Sequence, residues 1–199
     1  MRQHFLAAAF FASLLVNVFA RGASLENVPL KWTPTSTLSE MGAIDISGPL
    51  LTTKIQVDAL VDTRQNPPLV AENREKADKV RQMTTSSDVA AFLTDHLKQT
   101  LHGAGLNIVD SGADFSISGE IRQFFVTEMS TYNGEISLLI HVKNSAGKEL
   151  WSGIVNGDST RWGRSYSAAN YYETMSDMVL RATYNLLANS GFREALGKR

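Results

Sequence analysis

The chain has 199 residues, 43% of them apolar and 20% charged, with a formal net charge of −1. That length and balance suit one globular domain, and without a basic excess or stripe nucleic acid is not an expected partner. The cysteine count is zero, which removes disulfides, thiolate nucleophiles, Cys-based zinc sites and any acylated lipoprotein cysteine.

Met1-Arg2-Gln3-His4 precedes an apolar run from Phe5 to Val16 broken only by Ser13, and Val18 and Ala20 then give a small-x-small ending. This is the pattern of a secretory signal, so residues 1–20 are expected to be an export signal cleaved after Ala20. The run is shorter than the roughly 20 residues of a membrane span; an uncleaved N-terminal anchor is the alternative reading. The mature chain would then be periplasmic or outer-membrane associated.

Residues 21–48 contain Pro29, Pro34 and a Ser/Thr cluster, which predicts an extended tether or edge segment, with Trp32 packing onto the body. Residues 49–199 are expected to form a single α+β domain. Between Leu50 and Asp62 the residues Ile55, Val57, Ala59 and Val61 alternate with polar ones, the pattern of a half-buried strand. Thr63–Ser87 reads as a long polar loop, with an edge strand at Lys79–Met83. Asp88–Gly103 is the clearest helix, since Val89, Phe92, Leu93, Leu97 and Leu101 share a face. Ser86 or Ser87 is its expected cap, and Gly103 or Gly105 its stop.

Four further strands are predicted at Leu106–Asp110, Asp114–Thr127, Glu135–Lys143 and Lys148–Asp158. Ser111-Gly112, Asn133-Gly134 and Asn144–Gly147 are expected as tight turns between them. Tyr166–Ala188 is a second amphipathic helix. The expected order is β-α-β-β-β-β-α, an antiparallel sheet of about four to five strands with two helices on one face.

Catalytic chemistry finds little purchase. His96 and His102 stand six apart on a helix and do not share a face, so no two-His metal site is expected. His141 is expected on the solvent side of its strand. No G-x-S-x-G motif occurs, and Gly103-x-Gly105 ends a helix where a nucleotide loop would precede one. No cofactor and no metal are expected.

Two groups stand out as candidate binding residues. Asp62 and Arg64 lie at i, i+2 where the first strand closes. They form either a strand-end ion pair or a place where Arg64 holds an anion. Trp151, Trp162 and Tyr166, with Tyr171 and Tyr172 nearby, serve sugar, peptide or protein contact if exposed, and core packing if not.

The order of these features resembles the YajG-type family of envelope lipoproteins, and also auxiliary lipoproteins of envelope transport systems. The features are a leader, a strand ending Asp62-Thr63-Arg64, a polar loop, and Leu97, Leu101 and Gly105 followed by Leu106-Asn107-Ile108. Hairpin strands and a C-terminal helix complete the set. The resemblance covers most of residues 50–190 and implies an envelope α+β domain with no established enzymatic activity. It departs at one point: the family's lipidation cysteine is absent, so no lipid anchor of that kind can form.

The function expected from these readings is a non-catalytic periplasmic binding or assembly module whose partner is an envelope protein or cell-surface component. The alternative is a periplasmic hydrolase or sugar-active enzyme using carboxylates, and a third reading is a homo-oligomer joined through edge strands.

Overall fold

The computed structural model describes residues 25–76 and 78–197; the expected export signal lies outside the described residues. Strand β1 (Leu25–Val28), helix α1 (Leu38–Met41) and a 3-10 turn (Gly48–Leu51) open the chain. Strands β2 (Lys54–Val57), β3 (Val61–Asp62), β4 (Leu69–Asn73) and β5 (Arg81–Thr85) follow, then helix α2 (Val89–Gly103) and strand β6 (Asn107–Ile108). Three 14-residue strands, β7 (Phe115–Glu128), β8 (Thr131–Asn144) and β9 (Glu149–Trp162), precede helices α3 (Ala168–Ala188) and α4 (Ser190–Gly197).

The long meander is the frame of the molecule. In β8 Tyr132, Gly134, Ile136, Leu138, Ile140 and Val142 are buried, while the residues between them face the other side of the sheet. This two-residue period places one face under the helices and leaves the other to solvent. β7, β8 and β9 pair antiparallel, with Ile136 opposite both Phe124 and Gly157. On the far side of β7, three short strands lie end to end. Ile55, Val61 and Ala71 of β2, β3 and β4 pair in parallel with Phe115, Glu120 and Val126.

The expected all-antiparallel sheet of four to five strands is corrected here: the sheet is mixed and has nine strands among the described residues. The strand expected over Leu50–Asp62 is broken at Asp58–Leu60 into β2 and β3. The expected loop at Thr63–Ser87 contains two antiparallel strands, β4 and β5. Asn133-Gly134 is not a turn but lies inside β8; the chain reverses earlier, where the Met129 N–H donates to the Thr131 carbonyl at 2.9 Å. Gly134 is needed there for space, since a Cβ would sit 2.8 Å from Thr174 Cγ2 on α3.

The helices begin and end for local reasons. Asp88, rather than Ser86 or Ser87, caps α2: its carboxylate accepts from the Ala91 N–H at 3.0 Å. Gly105, with φ +99, takes the left-handed turn that stops α2. Helix α3 lies so close to β9 that a Cβ on Gly157 would come within 2.2 Å of the Met178 carbonyl. Residues 25–48 run along the body. β1 pairs with β5, the Thr33 N–H donates to Ser176 Oγ at 2.9 Å, and the Thr35 N–H donates to Asp177 at 2.7 Å.

Candidate functional site

Asp62 and Arg64 form an ion pair at 2.6 Å at the end of β3, and the Arg64 side chain is only 8% exposed. The guanidinium also donates to the Pro67 carbonyl at 2.7 Å and the Phe124 carbonyl at 3.2 Å. Its donors are thus engaged inside the chain, where they staple the β3–β4 connection to β7. Burial pushes the Asp62 carboxyl up, but hydrogen bonds from Arg64 and its charge outweigh this and hold it below the usual carboxylate range.

The aromatic candidates separate. Trp151 turns to the helix side and meets Phe192 edge-on at 5.5 Å between ring centres. Trp162, last in β9, stands on the open face and is 85% exposed. Tyr166 bridges the body: its hydroxyl donates to the Gln82 carbonyl at 2.7 Å, and the Arg81 guanidinium lies 4.0 Å from its ring centre. The structure therefore does not gather Asp62, Arg64, Trp151, Trp162 and Tyr166 into one site.

Two sites not anticipated from the sequence have more defined chemistry. At the end of β7 Glu128 is fully buried. Its carboxylate accepts from the Tyr171 hydroxyl at 2.7 Å and from the Tyr166 N–H at 3.0 Å. Burial alone would raise its pKa; the donors around it, from Asn73, Tyr171, the Tyr166 backbone and Tyr132, bring it below the ordinary value. Burial first, and then the bond to Glu128, push the Tyr171 phenol far up, so it stays a donor. The Asn73 amide supports the ionised Glu128, although its Nδ2 falls short of hydrogen-bonding geometry. Its Nδ2 is a buried donor without a partner.

The second is a pocket of about 650 Å³ between residues 32–46, the C-terminal half of α2, and Leu180 of α3. Trp32, Leu38, Ile44 and Ile46 supply apolar walls, and Gln99 and Thr100 supply polar atoms. No Asp, Glu, Lys or Arg lines it. Trp32 is fixed at its margin by stacking on His96, with ring centres 4.2 Å apart and planes 9° from parallel. Burial lowers the pKa of His96 against the opposing effects of Gln99 and Asp95, which favours the neutral imidazole. Its walls come from three distant parts of the chain, and Trp32 was the only residue whose packing the sequence pattern signalled.

No protein-family model and no curated protein matches the chain. Solved structures do. A Xanthomonas campestris protein of the DUF330 family superposes with a TM-score of 0.51 at 13% identity, covering 82% of this chain and 88% of that one. A second crystal structure, of an uncharacterized protein, gives a TM-score of 0.51 at 8% identity over 86% of this chain and 99% of its own. The fold is shared. A minor lipoprotein from Acinetobacter baumannii superposes more loosely, with a TM-score of 0.40 at 9% identity over 70% of this chain and 96% of its own.

Proposed function

We propose that the chain is a non-catalytic binding module of the bacterial envelope, and that the pocket beneath residues 32–46 is its site. The observation that carries this reading is the pocket itself. Its volume falls within the roughly 300–1,000 Å³ of small-molecule sites, and its walls are apolar with a few polar groups. A lining without ionised side chains suits a ligand that presents an uncharged, apolar portion. The signal-like leader and the resemblance to envelope lipoproteins support the location; no helix of the described residues is long and apolar enough to cross a membrane.

The carboxylate-enzyme alternative has less support. A general acid at neutral pH needs a raised carboxyl pKa. The half-buried Asp62 and the buried Glu128 are both held below the ordinary value, the opposite of what a general acid needs.

The test is titration with N-phenyl-1-naphthylamine, a neutral apolar fluorophore, against the folded mature chain. Saturable binding, weakened about tenfold or more by Ile46→Asp with an unchanged circular-dichroism spectrum, is the expected result. Binding that is absent, or indifferent to Ile46→Asp, would overturn the reading. The location has its own test: N-terminal sequencing of protein from the periplasmic fraction should begin at Arg21, and full-length protein retained in the cytosol would refute export.

A further inference from the structure

We propose a second, separate site: an anion-binding cavity at the β4–β5 turn that takes a phosphate group. A cavity of about 220 Å³ is lined by Asn73, Glu75, Lys76, Lys79 and Arg81. Three of its four charged residues are cations. Asn73 and Arg81 are cross-strand partners in the β4–β5 pair, so they face the cavity from adjacent strands. The Lys79 N–H donates to the Lys76 carbonyl at 3.1 Å, which folds the two lysines into one turn above them.

Asn73 points to a ligand independently of the charges. It is 1% exposed, and its Oδ1 accepts from the Glu75 N–H at 3.4 Å. Its Nδ2 is left buried with no acceptor in hydrogen-bonding geometry. The amide leans toward the buried Glu128 carboxylate without closing a hydrogen bond, and with two N–H donors it keeps capacity for an acceptor from outside the chain. Neighbouring charges do not fill that role. Arg74 is committed to Glu72 at 2.6 Å, and the Glu128 carboxylate, which the Asn73 amide supports, lies outside hydrogen-bonding geometry of Nδ2. Among the described residues Lys76, Lys79 and Arg81 form no ion pair, and Arg81 rests on the Tyr166 ring with its charge unneutralised.

Two lysines and an arginine against one glutamate give the lining a net charge of +2. A phosphate monoester carries about −1.5 to −2 at pH 7 and offers three acceptor oxygens, matching that charge and the orphan amide donor together. A carboxylate ligand would leave the surplus half-neutralised. The phosphate could arrive as a free ion or small ester, or as a phosphomonoester headgroup at a membrane surface; the recognising chemistry is the same.

The experiment uses the mature chain with inorganic phosphate as the probe, at constant ionic strength, read by amide NMR. Saturable shifts at the Asn73 side-chain NH2 and at Arg81 are expected, and chloride should produce none. Lys76→Gln with Lys79→Gln, both on the exposed turn, should weaken binding at least tenfold without altering the rest of the spectrum. Arg81→Lys should weaken it less than the double lysine variant. In a second arm, vesicles of phosphatidic acid in phosphatidylcholine are compared with phosphatidylcholine alone. Binding to the former that the double variant loses assigns the headgroup, whereas binding of phosphate only assigns the free ion. An Asn73 amide that does not move in either arm, or equal affinity in the double variant, overturns the site. None of these readouts involves the pocket at residues 32–46, so the two readings fail separately.

Discussion

Glu128 shows how a carboxylate survives full enclosure. Its charge is met by a phenol and a backbone N–H, so the ionised form is stabilised and its folded pKa lies below the unfolded value near 4.5. Such a group contributes stability that is complete above the unfolded pKa and is lost as pH falls through the folded pKa. The wild type should therefore lose more stability than Glu128→Gln between about pH 5 and pH 3. At pH 7 that variant should be about 2 kcal/mol less stable, because Tyr171 and the Tyr166 N–H lose charged acceptors in a dry site. Thermal denaturation at several pH values measures both effects. Arg64 carries the converse burden: Arg64→Ala would leave Asp62 and the carbonyls of Pro67, Leu69 and Phe124 without their donor. A loss of about 3 kcal/mol is expected in urea denaturation.

At the scale of elements, close contact between α3 and β9 sets the sharpest constraint. Gly157→Ala places a methyl 2.2 Å from the Met178 carbonyl and 2.5 Å from the Ala182 nitrogen, both backbone atoms of a long helix. Neither can swing aside, so a loss of about 3 kcal/mol or failure to fold is expected. Gly103→Ala, in the last turn of α2 with nothing within 4 Å, should be neutral or stabilising by up to about 1 kcal/mol. Comparison of the two melting temperatures checks the contrast. The same packing explains what could be read in advance. The meander and the helices α2 and α3 have one wet and one dry side, so their periods of 2.0 and 3.6 survive in the sequence. β4 is buried at Val70, Ala71, Glu72 and Asn73 alike, which erases the alternation. β3 has two residues, too few to carry a period of its own, whereas β6 falls within the strand expected at Leu106–Asp110. Glu128 is not legible in the sequence, because an acid at a strand end looks like a surface residue until Tyr166 and Tyr171 close over it.

For the whole molecule, residues 25–48 are part of the fold's stability as well as a wall of the pocket. β1 covers the edge of β5, Trp32 stacks on His96, and two hydroxylated residues bond to α3. A chain beginning at residue 49 should melt at a markedly lower temperature and lose the protected amides of β5 in hydrogen exchange. On the opposite side β9 pairs only with β8 among the described residues, and Ile154 is 58% exposed. A strand-to-strand homo-oligomer would form at that edge. Light scattering of residues 21–199 checks for it, and Ile154→Lys should shift any such assembly toward monomer.

Strand β7 has one continuous neighbour, β8, and on its other flank three brief ones seated in sequence. Each brief neighbour clips on by its own few amides, so length can be added in the joints between them without re-threading the hairpins. The backbone of the molecule is in this respect a rail with independent couplings, tolerant of remodelling on one flank and fixed on the other.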